Sequence, residues 1–460
     1  MAERAAQVSA AVARHLGPSI VARAGGRSVT AAAIARPLRR TFEDLGATFI
    51  KYGQVIASSP SLFGEEMANE FRSCLDMGPV VSFGEVKADV ERAVGGRLED
   101  VFTTFETRPI GQASLAVVHR AIRHDGREVA VKVLRPGIER RVATDLVLMR
   151  NAFSALTGQL GRPAVGPLAD MLRGLREQLC EELDLRNEAR VMEYFRAMPE
   201  RNRLPLITVP EPHMELSGRR VLVMEFLDGV PVDDLARVEE LGYDPAPLVE
   251  QVVQSWIMTA LRGGIFHGDV HAGNIMLLRD GRIGLIDWGI VGRLNPQTHR
   301  LFRSLIAGAL GDEAAWDDVA SELVAQWGPV AKERLGVDEQ WISAMFRQQV
   351  GQVLNRPFGE VSLAELLAAP QREIARKRAE TRKASGRTTR QGLLTGALRL
   401  RRMLAADASD LPPVDRGMVL LAKQLAYFER YGRLYMRDIP LLHDAEFFSS
   451  VLSDGPLDVA

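Results

Sequence analysis

Cysteine is nearly missing from this chain: Cys74 and Cys180 are the only two in 460 residues. Two thiols make no disulfide framework, and a reducing cytoplasm fits that usage. No apolar run approaches the eighteen or so residues of a membrane-crossing helix, so none is expected. The N-terminal stretch MAERAAQVSAAVARHLGPSIVARAGGR is interrupted by Arg14, His15 and Arg23, which argues against a secretory signal. Excess charge of one sign is lacking too. With 58 Lys and Arg against 59 Asp and Glu, the net charge of -1 gives no overall drive toward nucleic acid or an acidic surface. The basic stretch 372–402 (Arg372, Arg376, Lys377, Arg378, Arg382, Lys383, Arg387, Arg390, Arg399, Arg401, Arg402) holds no aromatic on which bases could stack. Nucleic acid is therefore not an expected partner. A solvated face is the simpler reading of that stretch, with anionic lipid at the inner face of a membrane as the alternative.

What is present is ample length for two or three domains and one stretch dense in chemistry. Residues 263 to 293 read GGIFHGDVHAGNIMLLRDGRIGLIDWGIVGR. Asp269 is followed five residues on by Asn274, and Asp287 follows the apolar run Ile283 to Ile286. Between them Asp280-Gly281 signals a tight hairpin turn. Phosphoryl transfer uses this order: an Asp to take the acceptor's proton, an Asn to hold metal, and a second Asp beyond a hairpin to hold the bridging Mg²⁺. A neutral Asn oxygen beside carboxylates suits Mg²⁺. His267 and His271, four apart, raise zinc as a competing reading, but no further Cys or His cluster follows.

Upstream, residues 100–136 read as short strands with an Asp125-Gly126 hairpin. Lys132 lies within the apolar strand EVAVKVL, and a buried ammonium there is costly unless it meets an anion. In kinases the anions are nucleotide phosphates and a helix Glu. Gly111-Gln112-Ala113-Ser114 occupies the position of a phosphate loop but carries one glycine, so it is not GxGxxG. A long helical stretch is expected over 166–198, with Glu181, Glu182, Asp184 and Glu188 as either a charged face or functional acids, Glu188 then partnering Lys132. Strands near 206–209 and 221–226 lead into Leu227-Asp228-Gly229, a hinge where backbone groups of Glu225 and Leu227 would meet an adenine edge. Residues 36–95 read as helical with Gly53 breaking the pattern, and Phe83 to Val94 as an amphipathic helix ended by Gly95-Gly96. On its own, Lys51 reads as a snorkelling surface lysine. Residues 1–35 read as loose helices whose Arg4, Arg14 and Arg23 are solvated, or less simply lie on an anionic membrane. After Arg293 the chain is helical, and GMVLLAKQLAYFERYGRLY is a final packed helix.

Taken together these segments resemble the UbiB/AarF/ADCK family of atypical kinase-like proteins. Lys51 to Gln54 (KYGQ) matches its KxGQ signature and ELDLRNE matches its ExD signature at Glu182 and Asp184, with Glu188 at the helix-Glu position. The loop PIGQASLAVVHRA lies where the family has an Ala-rich loop, and HGDVHAGN and IDWG complete the set. The resemblance implies an α+β, bilobal protein-kinase-like fold with a small antiparallel-sheet N-lobe and a helical C-lobe. Residues 1–98 would be the KxGQ-bearing helical extension, 99–227 the N-lobe with the ExD helix, and 228–460 the C-lobe and C-terminal helices. It implies that Lys51 and Gln54 gate the site, with Lys51 paired to Glu182 or Asp184, replacing the snorkelling reading. It further implies an ATP- or ADP-binding, Mg²⁺-dependent ATPase or phosphotransferase tied to prenylquinone biosynthesis or lipid homeostasis, with pathway proteins or anionic lipid as partners. Gly111 and Gln112 replace the family's alanines in the loop thought to bias nucleotide choice, and Ala272 replaces a common Pro. Two other readings share part of the pattern. One is a small-molecule phosphotransferase of the aminoglycoside or choline kinase type, which KYGQ and ELD oppose; the other is a nucleotide-gated scaffold.

Overall fold

A backbone angle that glycine alone reaches readily sets the helix break after Leu45. The computed structural model describes residues 1–25, 30–57, 65–71, 81–160, 166–196, 207–335, 338–360, 373, 376 and 416–453. Helices α1 (Ala2–Ala24), α2 (Ala31–Leu45), α3 (Ala47–Ala57) and α4 (Glu65–Phe71) begin the chain. The break expected at Gly53 falls instead at Gly46, whose φ of 83° is left-handed and whose N–H bonds the carbonyls of Phe42 and Glu43. Gly53 stays inside α3, because a mid-helix glycine costs only about 1 kcal/mol and Phe49, Tyr52 and Ile56 keep one buried face. The N-terminus is also better fastened than a solvated end. Arg4 donates to both carboxylate oxygens of fully buried Asp145, at 2.7 and 3.0 Å, and to the Leu45 carbonyl.

By internal packing the chain divides into two units. The first comprises Met1–Leu160, Met171–Tyr194 and Pro210–Phe226; the second comprises Gly161–Asp170, Phe195–Val209 and Leu227–Ala460. In the first, α5 (Phe83–Val94) and the short α6 (Leu98–Val101) precede the sheet strands β1 (Phe102–Phe105), β2 (Gly111–Gln112), β3 (Ala116–Arg123) and β4 (Glu128–Leu134). With β6 (Val221–Glu225) they form an antiparallel sheet ordered β1-β3-β4-β6, and β2 pairs with β3. Successive strand residues point to opposite faces. Val129, Val131 and Val133 therefore join Val221 and Val223 against Val86 and Val90 of α5 in one core. Each fully buried valine there stabilises by roughly 1.5–3 kcal/mol. Lys132 is left on the other face.

The first unit also contains α7 (Ile138–Leu160) and parts of α8 (Gly166–Glu182) and α9 (Leu185–Arg196). The helical stretch expected over 166–198 is thus helical in two pieces, with 197 and 198 outside the described residues. Asp184 caps the second: its carboxylate accepts the Arg186 N–H and its carbonyl the Asn187 N–H. That competes with helix continuation.

In the second unit β5 (Ile207–Thr208), β7 (Gly229–Pro231), β9 (Ile275–Leu278) and β10 (Ile283–Leu285) form a sheet ordered β5-β10-β9-β7, with β5 and β10 parallel. The β9–β10 hairpin turns at Asp280-Gly281, as its Asp-Gly pair predicts, with Gly281 at φ 82°. Gly284 in β10 is required by packing, since a Cβ there would lie 2.7 Å from the Leu227 side chain. A small pair, β8 (Ile265–His267) and β11 (Val291–Arg293), lies beside the long buried helix α11 (Pro245–Gly263), which follows α10 (Leu235–Leu241). Helices α12 (Pro296–Ala309), α13 (Ala315–Leu335) and α14 (Glu339–Phe346) share a core around Trp316. The chain closes with α15 (Arg416–Tyr435) and α16 (Ala445–Ser453). Phe428 of α15 meets Trp256 of α11 edge to face, centroids 5.0 Å apart. Of the basic residues at 372–402, only Arg376 lies among the described residues, paired with Glu373. Among the described residues no helix is long and apolar enough to cross a membrane.

Candidate active site

The first cluster is built on β4 and α9. The Lys132 ammonium donates to Glu188 Oε1 at 2.8 Å, both side chains buried. The strand fixes which face the lysine takes, and the Asp184 cap fixes where the first turn of α9 presents Glu188. On the helix before it, Glu182 lies 3.0 Å from Lys51 of α3 and accepts from Gln178. Of the two acids expected at Lys51, then, Glu182 is its partner. Asp184 is held by Arg186 at 2.9 and 2.6 Å, and this contact keeps its carboxyl below the usual range. Gln54 lies one turn after Lys51, half-buried.

The Gly111–Ser114 stretch is tied down. Gly111 and Gln112 form β2, and the Ala113 N–H donates to the Ala116 carbonyl at 2.9 Å. Buried Arg135 follows β4 and donates from Nε to the Ala113 carbonyl at 2.9 Å. Ser114 is fully buried, its hydroxyl without a hydrogen-bond partner among the described residues. Glu225 ends β6 with its N–H donated to the Glu211 carbonyl. Leu227 is buried against Gly284.

The second cluster lies on the two acid-bearing loops. The Ile286 N–H donates to the Asn274 carbonyl at 2.9 Å, which joins them. The Asn274 side chain donates from Nδ2 to the Asp269 carbonyl at 2.9 Å, leaving Oδ1 as the oxygen it can offer a cation. Asp287 stands at φ 59°, the one non-glycine residue at positive φ among the described residues. Strain of this kind collects at functional sites. Its carboxylate accepts the Gly289 N–H at 3.4 Å.

Between the loops sits His267. Its Nδ1 accepts the Asp269 N–H at 3.0 Å, so the neutral ring carries its proton on Nε2, which points at the Ile286 backbone without a full hydrogen bond. Burial pushes its pKa down to about 4, against the opposing pull of the Asp269 and Asp287 charges. The ring packs on Trp288 at 4.4 Å, and Trp288 packs on Phe195 at 4.6 Å. Trp256 Nε1 donates to the His267 carbonyl at 2.8 Å. Among the described residues no three His, Cys, Asp or Glu side chains gather as a metal cage. Oxygens from Asn274 and Asp287 suit Mg²⁺, which uses few protein ligands and completes its shell with phosphate and water.

One part of this cluster escaped the sequence. Lys423 of α15 donates to Asp269 Oδ1 at 2.6 Å. The next residue, fully buried Gln424, accepts the Val270 N–H at 2.7 Å and donates to the Gly268 carbonyl at 2.8 Å. Tyr431 donates to the Val270 carbonyl at 3.1 Å. Helical spacing marks these residues only as one face of an amphipathic helix, and no motif marks what that face touches.

The model of the ABC1 atypical kinase-like domain matches residues 74–316. An uncharacterized protein of Mycobacterium tuberculosis is 35% identical over 407 residues, covering 87% of this chain and 74% of that protein. An uncharacterized aarF domain-containing protein kinase of Arabidopsis thaliana, described as chloroplastic, is 33% identical over 414 residues, covering 88% and 73%. A probable protein kinase UbiB of Cellvibrio japonicus is 32% identical over 338 residues, covering 72% of this chain and 59% of that protein. The UbiB/AarF/ADCK resemblance read from KYGQ, ELDLRNE and HGDVHAGN is thereby borne out, and this chain belongs to the ABC1 atypical kinase-like family.

Proposed function

We propose that this protein binds ATP or ADP with Mg²⁺ and acts as an ATPase or phosphotransferase in support of prenylquinone, ubiquinone-type, biosynthesis or lipid homeostasis. In this reading the first unit is the small sheet-bearing lobe of a bilobal kinase-like fold, and its N-terminal helices are the KxGQ extension. The second unit is the helical lobe. The observation that carries the reading is the buried Lys132–Glu188 pair. A lysine in mid-strand is costly to bury, and here a helix carboxylate holds its ammonium ready for phosphate. Backbone groups of Gly111 to Ser114, set by Arg135, would approach the phosphates, and Glu225 and Leu227 the adenine edge.

Asn274 and Asp287 would hold the metal, which when bound neutralises phosphate charge. Asp269 takes the proton of the attacking water or hydroxyl while the new O–P bond forms; the bond from the γ-phosphorus to its bridging oxygen breaks and ADP leaves. Lys51 and Gln54, through the Lys51–Glu182 pair, would gate the site. Relatives named as probable protein kinase UbiB support the kinase-like part of this reading, and the quinone assignment follows the family resemblance.

Mg·ATP hydrolysis and nucleotide-induced thermal shift, measured on wild type and Asp287→Asn, test the reading. Loss of Mg²⁺-dependent nucleotide binding in the variant is expected. Unchanged affinity overturns the metal assignment.

A further inference from the structure

Helix α15 is where the catalytic loop finds the charge it does not carry itself. From His267 to Asn274 the loop reads HGDVHAGN, without a lysine or arginine. A carboxylate at Asp269 placed beside a triphosphate faces like charge, which a cation against that carboxylate offsets. Lys423 supplies a positive charge from 154 positions downstream, at 2.6 Å.

The helix presenting it is fixed independently of that contact. Gln424 satisfies a backbone donor and a backbone acceptor of the loop, Tyr431 satisfies another acceptor, and Phe428 is buried against Trp256. The Lys423 ammonium also lies 5.8 Å from the centre of the Tyr427 ring. The lysine is therefore carried on a preorganised support, while its own pair with Asp269 remains reachable by solvent. A solvent-reachable pair adds little to stability; what it does fix is the direction of one carboxylate. We propose that Lys423 is a positioning residue for the transfer step, holding Asp269 in the orientation that receives the acceptor's proton, and that α15 is thereby part of the catalytic loop. The inference rests on the nucleotide reading above.

The test uses the full chain with Mg·ATP, comparing wild type, Lys423→Met, Lys423→Arg and, as a surface control on the same helix, Arg433→Ala. In Lys423→Met, kcat for hydrolysis is expected to fall about 10- to 100-fold while nucleotide affinity, KM and thermal midpoint stay near wild type. Lys423→Arg restores most of the rate, and Arg433→Ala matches wild type. Wild-type kcat in Lys423→Met overturns the proposal. So does a joint loss of affinity and thermal midpoint, which marks a structural role. A wild type that neither binds nor hydrolyses Mg·ATP removes the nucleotide reading itself, an outcome told apart because it appears before any lysine is changed.

Discussion

Two lysine–carboxylate pairs, one in each unit, are alike in distance and opposite in character. Lys132 and Glu188 meet at 2.8 Å with side chains 11% and 4% exposed. Lys423 and Asp269 meet at 2.6 Å with 22% and 19% exposed. Burial decides what each pair does for the molecule. In the first, removing one partner strands a charge in a dry interior, so the fold depends on this contact and, in the proposed reading, the chemistry does too. In the second, water can replace either partner, so geometry is at stake and stability is not. The stability that α15 brings comes from its neighbours, Gln424, Phe428 and Tyr431, which are buried and packed.

The contrast can be broken by experiment, most severely at the buried pair. Lys132→Met should lower unfolding stability by roughly 3–5 kcal/mol and abolish turnover. Adding Glu188→Leu should recover much of the stability and none of the activity in urea titration and hydrolysis assays. Recovery of both would mean that the pair is structural only.

The next effect lies between the two loops, at His267. Its neutral form is favoured by folding, from the usual 6.5 down to about 4. Above 6.5 both states are neutral and the ring makes no difference. As pH falls from 6.5 toward 4 the unfolded chain takes up a proton that the fold resists, and stability drops by up to roughly 3 kcal/mol. Unfolding free energy measured against pH should show this slope in wild type and a flatter one in His267→Gln. Equal slopes would remove the buried-ring explanation.

A smaller change is expected at Asp184→Ala, where loss of the α9 cap should cost about 1 kcal/mol and reduce turnover through Glu188. Full activity with reduced stability would show that α9 keeps Glu188 in place without its cap. The smallest is Lys423→Met, whose stability should stay within about 1 kcal/mol of wild type. A loss comparable to that of Lys132→Met would erase the distinction drawn between the pairs.

Legibility in the sequence followed the range of the interaction. The β4 lysine stood out because a period of two assigns every residue of EVAVKVL a face, and the Asp280-Gly281 hairpin because glycine takes φ 82° there without strain. The order Asp269, Asn274, Asp287 was readable because the loops are consecutive and bonded to one another through Ile286. Gly46 and Gly53 could not be ranked as helix breakers, since composition does not tell which backbone must turn left-handed. The break at Asp184 within the helical stretch hinged on whether one carboxylate bonds its own backbone. Arg4 with Asp145 and Lys423 with Asp269 span 141 and 154 positions, and no periodicity reports a partner so distant. KYGQ became informative through family resemblance alone; physically, Lys51 was indistinguishable from a surface lysine until Glu182 stood 3.0 Å away.

The reach of Lys423 has a consequence for the moment at which the protein is made. At about 5–20 residues per second, the 154 positions separating it from Asp269 take roughly 8 to 30 s to translate. Throughout that interval the acid-bearing loops have been synthesised and the helix that completes them has not. A chain still on the ribosome thus has Asp269 without the ammonium that directs its carboxylate, so in the proposed reading the loop is completed only once α15 has been made.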